Sequence, residues 1–92
     1  MAEDDAALEA YFAALAERAG TPALGAEEAA AVLDLTRVVA HTSERRFAPL
    51  VAYAVGLTAG RSPDPPARVA RVREVLAVVR ELGREAGADD GG

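Results

Sequence analysis

A run with no charged side chain, Phe47 to Ala59 (FAPLVAYAVGLTA), constrains this chain more than any other feature. It is too short to span a bilayer, which takes about 20 apolar residues, so protein has to cover it. Pro49 falls where the missing N–H of a first helical turn costs nothing, and the run reads as a helix with two unlike sides. Phe47, Leu50, Val51, Ala54, Leu57 and Thr58 make the large side, and Ala52, Gly56 and Ala59 the small side, with Gly60 close by. A glycine inside a helix costs about 1 kcal/mol relative to alanine. Gly56 therefore predicts the close approach of another helix, either from within the chain or across a seam to a second copy or a partner. Gly60 is expected to close the helix in the left-handed conformation. This helix is expected to be the hydrophobic centre of the fold, followed in burial by the helix before it.

Three further helices surround it in the sequence. Leu8, Tyr11, Phe12, Leu15 and Ala19 recur at helical spacing, with Asp4 or Asp5 as the expected cap. Gly20 and Thr21-Pro22 end this helix. A second begins near Gly25 or Ala26, with Glu28 favouring its N-terminal turn. Val32, Leu35 and Val39 form its apolar ridge. Ala29, Leu33, Thr36, Ala40 and Val38 widen that ridge and leave only a thin polar strip. After the linker Arg61–Pro66, Asp64 with Pro65 marks the start of a last helix. It turns Val69, Val72, Val75, Leu76, Val79 and Leu82 inward and is expected to end near Leu82 or Gly83. No strand pattern, internal repeat or sustained heptad is present. These elements predict an all-α fold, a compact antiparallel four-helix bundle with short loops. Residues 6–84 form the expected single domain, between a disordered acidic lead over 1–5 and a disordered tail over 85–92.

Composition narrows the function. The net charge is −5, the wrong sign for a domain that binds nucleic acid by releasing counterions from phosphates. There is no cysteine, which removes disulfides, thiolate chemistry and cysteine zinc sites together. The single histidine, without a second one at ligand spacing, argues against a metal site. The acidic N-terminus lacks the basic and apolar regions of a signal peptide. The expectation is a cytoplasmic protein with no metal, no cofactor, no membrane partner and no nucleic-acid partner.

The polar candidates gather at one corner. Asp34, Arg37 and His41 are spaced three and four apart, so they neighbour one another on the second helix. Glu44, Arg45 and Arg46 follow in the turn. An arginine fork can hold a carboxylate or phosphate through two bonds, and the free amides of the next helix could assist. The corner is thus a candidate anion or partner-carboxylate site. The same residues could equally be a solvated strip of local ion pairs, each worth a few tenths of a kcal/mol. Ser43 near His41 makes no catalytic set, because no nucleophile, base and orienting group come together. The chain reads as non-catalytic.

The middle of the chain, LDLTRVVAHTSER followed by APLVAYAVGLTAGR, resembles a small actinobacterial family of uncharacterised helical proteins. The shared features fall on Leu33–Leu35, Val39–His41, Glu44-Arg45, Ala48–Leu50 and Gly56–Gly60. Val38, Tyr11-Phe12 and Arg46-Phe47 depart from its pattern. The resemblance implies an accessory role associated with molybdopterin-guanine dinucleotide biosynthesis, with a molybdenum-cofactor enzyme or a second copy as partner. Two other readings stand beside it: a small anion-binding module at the Arg/His corner, and a purely structural homodimer.

Overall fold

The computed structural model describes residues 3–91, with side chains over 5–86. Four helices follow in order: α1 (Glu3–Ala19), α2 (Ala26–Thr42), α3 (Phe47–Ala59) and α4 (Pro65–Gly91). No strand occurs among the described residues. Short connections make sequential neighbours antiparallel, giving a four-helix bundle.

Local chemistry sets most of the helix ends. Gly20 takes a φ of +74° and its amide bonds the Ala16 carbonyl at 2.9 Å, the left-handed stop that its lack of a Cβ permits. Asp64 caps α4, accepting from the Ala67 amide at 3.2 Å, with Pro65 in the first helical position. Three ends differ from expectation. The helix α1 already begins at Glu3, which places Asp4 and Asp5 within its first turn rather than before it; Met1 and Ala2 of the acidic lead lie outside the described residues. Gly60 is right-handed, with φ −68°. The amides of Arg61 and Ser62 satisfy the Thr58 and Ala59 carbonyls through tight i to i+3 bonds, so no left-handed residue is required there. Finally, α4 runs through Gly83 to Gly91. The helix therefore passes its expected end near Leu82 or Gly83; Gly92, the last residue of the expected tail, lies outside the described residues.

Burial overturns the expected ranking of the helices. Leu35 of α2 is fully buried, and Ala31, Val39, Val55, Val69, Val72 and Leu76 complete the core around it. Thus α2 and α4 supply most of the centre, whereas α3 buries only Val55 and Ala59. The reason is position. Helix α2 packs against each of the other three, while α1 packs against α2 alone. Being next to every other helix covers α2 on most sides. Helices α3 and α4 each pack against α2 and one another, and the outer face of the more apolar α3 is left exposed.

Candidate functional site

The polar corner forms as two separate sets. On α2, Arg37 Nη2 donates to Asp34 Oδ1 at 2.8 Å. His41 Nδ1 lies 2.9 Å from the Arg37 carbonyl; a carbonyl can only accept, so Nδ1 carries a proton. In the turn, Arg46 Nε donates to Glu44 at 2.9 Å, and its guanidinium stands 5.5 Å from the centre of the Phe47 ring. Arg45 makes no ion pair among the described residues. No hydrogen bond joins the α2 set to the turn set. The first amides of α3, at Phe47 and Ala48, are taken by the Glu44 and Arg45 carbonyls. An incoming anion would therefore compete with carboxylates already held by Arg37 and Arg46. The pairs are exposed, where such interactions contribute little.

The small side of α3 is better defined. Ala52, Gly56, Ala59 and Gly60 line one wall of a groove of about 610 Å³. Phe12 and Leu15 of α1 line the opposite wall, and Val32, Val55 and Val72 lie deeper. Ala59 is buried, while Gly56 and Gly60 are exposed. A Cβ built on Gly56 would meet no atom within 4 Å. The close helix approach expected at Gly56 is thus absent among the described residues. It occurs instead at Gly83 of α4, where a Cβ would come 2.8 Å from the Thr42 Cβ.

At the inner end of the groove lies a pair that the sequence reading did not identify. Arg68 donates to Glu28 through Nε at 2.7 Å and Nη2 at 3.0 Å, and to the Ser62 carbonyl through Nη1 at 3.1 Å. Each side chain keeps only 10% of its surface in water. This two-pronged fork is the strong geometry for a guanidinium on a carboxylate. Hydrogen bonding to Glu28, offset in part by burial, raises the Arg68 pKa above its ordinary value, so this side chain stays cationic. Glu28, in the first turn of α2, thereby ties the start of that helix to the start of α4. A signal was present in the sequence. Glu28 is in phase with Val32 and Leu35, and Arg68 with Val72 and Leu76, so one charge sits on each apolar ridge.

Among the described residues, no group of three or more His, Cys, Asp or Glu is arranged to hold a metal ion, and no helix is long and apolar enough to cross a membrane. The family described as Domain of unknown function (DUF6457) matches residues 3–91, and the chain belongs to it. No curated protein and no solved structure matches the chain.

Proposed function

We propose that this member of the DUF6457 family is a non-catalytic protein-interaction domain that docks through α3 and the adjoining groove. One observation carries the reading. Helix α3 has no charged residue, yet it holds Leu50, Tyr53 and Leu57 at 63%, 70% and 59% exposure. A contiguous apolar stripe left in water beside a groove is the usual mark of a docking surface. The finer proposal is an accessory role in molybdenum-cofactor maturation in the cytoplasm, acting on a cofactor enzyme or on a second copy. Its support is the resemblance of residues 33–61.

The test places a photo-crosslinking amino acid in the full chain, expressed in its native host. Positions Leu50 and Tyr53 probe α3, His41 probes the charged corner, and Arg73 probes the outer face of α4. Discrete adducts from the α3 positions, weak or absent at Arg73, support the docking reading. Adducts confined to His41 or Arg73 overturn it. A molybdenum-cofactor enzyme among the identified adducts supports the finer proposal, and the consistent absence of any such enzyme removes it.

A further inference from the structure

We propose that a second copy of this chain occupies the α3 surface, with the two α3 helices crossing about a two-fold axis near Gly56. The inference rests on the reading of α3 as the docking surface and names its occupant.

The first argument is self-complementarity. Side chains four apart on a helix form ridges, and the rows between them form grooves. On α3 the row Pro49, Tyr53, Leu57 is a ridge of exposed side chains, and the adjacent row Ala52, Gly56, Gly60 is a trough. Two copies related by a two-fold axis place the ridge of each in the trough of the other, since such an interface uses the same patch twice. Interlocking of these rows predicts a crossing angle of roughly −50° and a short axial separation. The space around Gly56, which nothing among the described residues fills, is then filled by Tyr53 and Leu57 of the second copy. This also accounts for a helix-weakening residue in mid-helix.

Charge is the second argument. With no charged residue on α3, two copies bring no like charges together at the centre of the interface. Helix α1 carries Asp5, Glu9 and Glu17 against Arg18, and Arg45 and Arg61 flank α3, neither of them paired with a carboxylate among the described residues. In the dimer the acidic α1 of one copy lies near the basic flanks of the other copy's α3.

The experiment uses the full chain in sedimentation equilibrium, with Gly56→Leu, Leu57→Arg and the control Arg73→Glu. The expected result is a wild-type dimer at about 100 μM. Gly56→Leu and Leu57→Arg should each weaken it at least 100-fold, while Arg73→Glu leaves it unchanged. Helicity measured on dilute protein should be unaltered in all three, since both α3 positions are open in the single chain. Because the chain contains no cysteine, Gly56→Cys adds a sole thiol. Near the axis it should form an intermolecular disulfide under mild oxidation, and Leu33→Cys should not. A wild-type chain that is monomeric at 1 mM overturns the second-copy inference. So does a dimer that tolerates both α3 substitutions. Neither result decides the docking reading, which the crosslinking from Leu50 and Tyr53 tests separately through adducts with a different protein.

Discussion

Truncation of Glu28 to alanine tests whether the buried pair holds α2 to α4. The substitution leaves Arg68 with the Ser62 carbonyl as its remaining partner. Removing one member of a buried ion pair costs about 3–5 kcal/mol, mainly because the other charge is left uncompensated. Each side chain here retains a tenth of its surface in water, which favours the lower end, about 3 kcal/mol. For a domain of this size each kcal/mol lowers the melting temperature by roughly 4–8 °C, so Glu28→Ala should melt roughly 12–24 °C below the wild type. Urea unfolding followed by circular dichroism reads the same quantity. The double substitution Glu28→Leu/Arg68→Met should return to within about 1 kcal/mol of the wild type, because a matched apolar pair avoids the desolvation of two ions. The double-mutant cycle should give a coupling of about 2 kcal/mol or more. The exposed Asp34–Arg37 pair serves as the control, with a coupling below about 0.5 kcal/mol. A Glu28–Arg68 coupling no larger than that of the control would refute the reasoning.

Three other outcomes are expected. Arg68 has a folded pKa raised above the ordinary arginine value, so its contribution is fully present below the unfolded value and is lost only as pH rises through the folded value; melting temperature measured between pH 7 and 10 should therefore show no loss of this pair. Gly83→Ala should lower stability by about 1 kcal/mol in urea titrations, since overpacking against Thr42 costs about 1–3 kcal/mol and the gain in helix propensity returns about 1; a stabilised variant would show that α2 and α4 are not in close approach there. Leu35→Ala should cost about 3–5 kcal/mol, and Leu33→Ala, which is 62% exposed, less than about 0.5 kcal/mol; similar costs for the two would contradict the placement of α2 at the centre.

The local features of the fold were legible in the sequence. Four helices, the stop at Gly20 and the Asp64-Pro65 start of α4 depend on neighbours within a few residues, where backbone geometry and orphan amides set the outcome. The proximity of Asp34, Arg37 and His41 was legible for the same reason. That Glu44 and Arg46 would bond each other apart from that set depended on the path of the turn.

Which helix lies at the centre was decided only by the tertiary structure. Hydrophobicity ranks α3 first, but burial depends on how many neighbours a helix has, and α2 touches three. The pairing of Glu28 with Arg68 joins residues 40 apart, and the approach of Gly83 to Thr42 joins the end of α2 to the interior of α4. Side-chain periodicity says which face of a helix turns inward; it carries no information on which other helix that face meets. For that reason the apolar character of α3 was plain in the amino-acid order, while the exposure of its outer face and the space beside Gly56 followed only from the packing of α1, α2 and α4.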